Sequence, residues 1–140
     1  MVFKEVNLKR KGMKSGQRKS HGWKYIVEFY KQIAKEEPVW MPMFKLSQRL
    51  AKSPYAPYIF PMQSMQTLLI AQTEVFILNR NVLKIDYDPA KEIFTFQYIE
   101  TPSYLKNQKH WTKQCISAEA YSGVVHFFRL QKWFTTEPKN

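Results

Sequence analysis

The stretch VLKIDYDPAKEIFTFQYI, residues 82–99, alternates apolar and polar residues on either side of a turn signal. Leu83, Ile85 and Tyr87 fall on one side of an extended chain and Lys84 and Asp86 on the other, and Phe94, Phe96 and Tyr98 then repeat the pattern. Successive strand side chains point to opposite faces, so each half reads as a strand with one apolar face. Between them, Asp88-Pro89-Ala90-Lys91 supplies Asp for the first position and Pro for the second position of a type I turn. The stretch is a β-hairpin, and the rest of the fold is read outward from it.

Upstream, residues 67–71 and 74–78 are short apolar runs of strand length. Asn79-Arg80-Asn81 can reverse the chain between the second run and the hairpin, because Asn tolerates positive φ. This predicts three or four antiparallel strands in meander order over residues 66–99, with residues 111–116 as a further candidate strand.

Before the sheet region the period changes to that of a helix. Trp23, Ile26, Val27, Tyr30, Ile33 and Ala34 recur at spacings of three and four, and Pro38 should end the helix because the residue before a proline is pushed out of the α region. Residues 42–52 predict a second, shorter helix, with Pro42 in its first turn and Met43, Leu46 and Leu50 on one face. Residues 53–61 contain Pro54, Pro57 and Pro61 and predict an extended, irregular connection, neither helix nor central strand. The tail over residues 117–134 carries both patterns. Ala118, Tyr121, Val124, Val125 and Phe128 form a helical stripe and Ser117 is a suitable N-cap, whereas residues 124–134 are β-rich and Gly123 weakens a helix. The helix is the favoured reading.

The fold class that follows is α+β: an antiparallel sheet of about three to five strands packed against two N-terminal helices and a C-terminal helix. A chain of 140 residues suits one core, and 44% apolar and 16% aromatic residues suffice to offset the entropy of folding. The expected organisation is a basic flexible arm over residues 1–21 and a single globular domain over residues 22–136. No apolar run approaches the ~18 residues of a membrane span, and the basic N-terminus has no apolar segment of the kind a secretory signal needs. Gly12 and Gly16 interrupt the amphipathic helix of a transit peptide. Cys115 is the only cysteine, which excludes an intramolecular disulfide and a multi-cysteine zinc site and points to a reducing, cytoplasmic setting.

The charge is uneven. Residues 1–21 hold seven basic side chains against Glu5, net +6 of the chain's +11. Lys9, Arg10, Lys11, Lys14, Arg18 and Lys19 are the candidate nucleic-acid-binding residues, since each cation that meets a phosphate releases a condensed counterion. The same cluster would also serve as a solubilising tail, or meet an acidic protein or anionic lipid surface.

No phosphate-binding glycine loop, nucleophile elbow or paired metal-ligating histidines occur, so no cofactor is implied. The candidate catalytic pair is Cys115 with His110, because an imidazole brought beside a thiol can take its proton; a buried, inert thiol explains Cys115 more simply. Asp86 and Asp88 share one side of an ideal strand and are the candidate metal ligands, although Asp88 is already explained by its turn. Tyr55, Tyr58 and Phe60 on the proline-rich segment, with Trp133, are the candidate hydrophobic interaction surface, set against their use in closing the core. Three functions are therefore expected in order: non-catalytic nucleic-acid association through the arm, a protein-interaction or self-association module, and a small enzyme using the Cys/His or carboxylate groups.

Overall fold

A computed structural model of the chain describes residues 17–77, 80–100 and 110–138. Within them the fold is α+β, with three α-helices, a five-stranded antiparallel sheet and a separate two-stranded ribbon.

The first helix, α1 (Trp23–Glu36), forms where the apolar spacing predicts it and buries Ile26, Phe29, Tyr30 and Ala34. Gly22 at its N-cap has φ 86°, a left-handed value that glycine adopts without strain. The helix stops as Glu37 turns extended ahead of Pro38, and a 3-10 turn over Pro38–Trp40 leads into α2 (Met41–Ala51). Pro42 sits in the first turn of α2, where its missing N–H costs nothing, and Met43, Leu46 and Leu50 are buried.

The proline-rich connection is more regular than expected. Ala56–Tyr58 is a 3-10 turn, and Phe60–Ser64 is a strand, β2, despite Pro61. The strand is permitted because β2 is at one edge of the sheet and pairs only with β3 (Thr67–Ala71), so the sheet begins at residue 60 rather than 66. The meander expectation also needs correction. Strand β4 (Val75–Ile77) leaves the main sheet, and β3 pairs directly with β5 (Leu83–Asp88). The partner of β4 is β1 (Gln17–Lys19), taken from the segment assigned to the flexible arm. Ser20 N–H donates to Glu74 O at 2.8 Å and His21 N–H to Pro61 O at 3.0 Å, so residues 17–21 belong to the body.

Strand β6 (Ile93–Ile99) completes the hairpin in the register the alternation requires, with Leu83 opposite Tyr98, Ile85 opposite Phe96 and Tyr87 opposite Phe94. The Asp88 carboxylate accepts from the Ala90 and Lys91 N–H groups at 3.0 and 3.3 Å, and Glu92 absorbs the reversal at φ 56°. The candidate strand at 111–116 is β7 (His110–Ile116), paired to β6. The tail is a helix, α3 (Ala120–Leu130), preceded by a 3-10 turn over Ser117–Glu119; Glu119 rather than Ser117 is its N-cap. Asn81, in the second expected turn, does adopt positive φ at 55°, while Leu78 and Asn79 lie outside the described residues.

The sheet is covered unequally. On one face the helices close a core of Leu68, Ile70, Leu83, Ile85, Phe94 and Phe96 with Ile26, Tyr30, Leu50 and Phe127. On the other, the β1–β4 ribbon covers a smaller cluster of Met62, Leu69, Ala71, Phe76 and Val82. Among the described residues no helix is long and apolar enough to cross a membrane.

Candidate functional site

Cys115 and His110 occupy the same strand, β7. A five-residue offset puts these positions on opposite faces of the sheet and about 16 Å apart, so the strand itself keeps them from forming a pair. Cys115 is buried opposite Phe94, beneath Gly123 of α3. Burial pushes its thiol pKa up; the Lys113 charge opposes that rise and Glu119 adds to it. A raised pKa suppresses the thiolate on which nucleophilic chemistry depends.

The two aspartates also have separate occupations. Asp86 accepts a hydrogen bond from the Thr67 hydroxyl across the β3–β5 pair, and Asp88 is held by its turn. Among the described residues, no group of three or more His, Cys, Asp or Glu stands ready to hold a metal ion.

Of the four aromatic residues assigned to an interaction surface, Tyr55 and Trp133 are buried, at 5% and 7% exposure, and Phe60 is partly buried. Only Tyr58 is exposed, at 56%, with its ring 6.3 Å from that of Phe134. These side chains close the core beneath the C-terminal segment: Trp133 stacks on Phe128 at 5.3 Å and meets Tyr98 edge-on at 6.1 Å.

The candidate basic residues divide. Lys9, Arg10, Lys11 and Lys14 lie outside the described residues. Arg18 and Lys19 are on β1, where Lys19 pairs with Glu74 across the ribbon at 3.5 Å and Arg18 donates to the Gln17 carbonyl at 2.8 Å. A further basic surface, which the arm's density of charge overshadows in the sequence, is the exposed side of α2 with Lys45, Arg49 and Lys52. It borders a groove of about 530 Å³ between α2 and the start of α3, in which the Arg49 guanidinium lies 4.0 Å from the centre of the Tyr121 ring.

A second groove, of about 560 Å³, opens where the ribbon, the end of β6 and the end of α3 meet. Its volume is within the range of small-ligand sites. The apolar part is Phe76, Tyr98 and Trp133, and the rim carries Gln17, Gln72, Asn81, Gln131, Arg80 and Glu100. Gln72 is fixed by donating from Nε2 to the Trp133 carbonyl at 3.0 Å, and the Tyr98 hydroxyl reaches Asn81 Oδ1 at 3.5 Å. The indole N–H of Trp133 is buried beside the Tyr98 hydroxyl, outside the geometry of a normal hydrogen bond. Burial pushes the Tyr98 phenol up in pKa, and the Trp133 indole N–H, directed at the phenol oxygen as a donor, opposes that rise. Amides beside an aromatic floor suit the recognition of a flat polar group.

No protein-family model, curated protein or solved structure matches the chain.

Proposed function

We propose that the protein is a non-catalytic binding domain that associates with nucleic acid through its basic N-terminal arm. The observation that carries this reading is the concentration of charge, net +6 within residues 1–21. The exposed Lys45, Arg49 and Lys52 on α2 extend the supply of cations to the body, and the two ion pairs among the described residues, Lys19–Glu74 and Arg129–Glu137, involve none of the three. Phosphate contacts of this kind give affinity without sequence preference and bring the partner in by long-range attraction. The single buried thiol suits the reducing conditions of the cytoplasm.

The test compares the full chain with one beginning at Gln17, which keeps β1 and removes Lys4, Lys9, Arg10, Lys11 and Lys14. Binding to single- and double-stranded DNA and RNA is measured across a salt series. Full-chain binding should weaken steeply with salt. On duplex DNA, truncation should flatten the logarithmic slope by ~0.9 for each phosphate that the removed cations neutralise. No binding near physiological salt, or an unchanged slope after truncation, would refute the reading.

A further inference from the structure

We infer that the groove beside the ribbon is a pocket for an unpaired nucleobase. This deepens the reading above and rests on nucleic acid being the partner. Two features of the groove converge on that ligand. The first is its floor, where the small exposed parts of the otherwise buried Phe76, Tyr98 and Trp133 give a planar base an aromatic edge to lie against. The second is its rim of Gln72, Asn81 and Gln131, because an amide side chain presents both a donor and an acceptor and so matches the mixed edges of a base.

The charges on the rim set the direction of entry. Arg80 favours a phosphate and Glu100 repels one, so the base goes inward and the backbone stays at the mouth beside Arg80. Glu100 is an acceptor for a ring or exocyclic N–H. Gln17, on the same rim, is the first residue of β1, so the basic arm joins the body at the edge of this groove. A single strand whose base fills the pocket therefore has its phosphates near Gln17. A duplex would not fit in this way, because pairing hides the edges that the amides must read.

The test uses the full chain labelled with 15N and follows the indole N–H signals of Trp23, Trp40, Trp111 and Trp133, assigned through the sequential backbone. The probes are the four ribonucleoside 5′-monophosphates and their deoxy counterparts, with inorganic phosphate as control; the ribose and deoxyribose arms separate an RNA from a DNA source. At least one nucleotide should shift the Trp133 signal saturably at millimolar concentration or below, leaving that of Trp23, which already donates to Ile59 O at 3.1 Å, in place. Gln131→Ala, at a half-buried surface position, should weaken that binding about fivefold, the effect of one lost amide hydrogen bond. No Trp133 shift at ten times that concentration (on the order of 10 mM, a Kd weaker than about 3 kcal/mol of binding), or the same shift with phosphate alone, overturns the pocket. Because a mononucleotide has no run of phosphates for the arm to grip, this failure is separable from loss of salt-dependent polymer binding, which would overturn the arm reading instead.

Discussion

The hydroxyl of Tyr55 donates to the carboxylate of Glu137 at 2.6 Å, joining positions 82 residues apart. Arg129 at the end of α3 donates to the other oxygen of the same carboxylate at 3.1 Å, and Phe134 packs on the Tyr55 ring with centroids 5.3 Å apart. The C-terminal segment is thereby fastened over the proline-rich connection, one residue past the boundary that the sequence suggests at 136. The fastening is pH-dependent at both ends. Burial, then the Glu137 bond, pushes the Tyr55 phenol from 10.0 up to about 12, and that hydrogen bond holds the Glu137 carboxyl below its ordinary 4.5.

A raised phenol pKa contributes stability that is complete below pH 10 and is lost as pH climbs to about 12. A lowered carboxyl pKa contributes stability that is present above 4.5 and is lost as pH falls below it. Tyr55→Phe should cost about 1 kcal/mol near neutrality through the lost part-buried hydrogen bond, and should remove the part of the alkaline decline that lies between pH 10 and 12. Denaturant midpoints measured against pH for the two proteins check this; parallel curves would count against the fastening.

Gly123 is a tight steric position in α3. A Cβ built there would stand 2.7 Å from Cε2 of the Phe96 ring, which is fully buried on β6. Gly123→Ala should therefore destabilise the protein by roughly 1–3 kcal/mol through overpacking, although alanine favours a helix more than glycine does. Chemical denaturation decides the sign, and a stabilised variant would mean that α3 rides further from the sheet.

The Cys115 thiol should react slowly in the native state. Its burial both raises its pKa and bars reagents, so modification at pH 8 should be at least tenfold slower than that of an exposed thiol and should become fast in denaturant. A native rate equal to that of a small-molecule thiol would restore Cys115 as a candidate nucleophile.

The sequence made the local elements legible and the long-range pairings much less so. The β5–β6 hairpin and α1 are readable because alternation, helical spacing, Asp88 and Pro38 all act within a few residues. Strand β1 is hidden because Gln17, Arg18 and Lys19 carry no apolar signal; their pairing with β4 is made by backbone groups that every residue has. Strand β4 misleads for the opposite reason: strands adjacent in sequence commonly pair, whereas Phe76 instead caps a second small core. Pro61 obscures β2 because a proline is excluded only from a central strand, and edge status depends on the whole sheet. For the site, aromatic content identifies the residues but not their exposure, so Tyr55 and Trp133 stay open between surface and core until the structure places them in the core. The groove draws on β1, β3, β4, β6 and the residue after α3, a convergence that no local spacing encodes.

The ribbon that joins arm to body has a mechanical consequence. Three residue pairs, Gln17 with Ile77 through Lys19 with Val75, close a loop that contains both N-terminal helices and two strands. Such a closure carries an entropic cost, offset by the short ladder together with the Ser20 and His21 backbone bonds and the Lys19–Glu74 pair. It is also where any load on the arm is delivered. Under the proposed function, a polyanion drawn along residues 1–16 would load this seam, whereas one seated against the groove would hold it shut. Slower amide exchange at Arg18 and Phe76 would be the imprint of the second case.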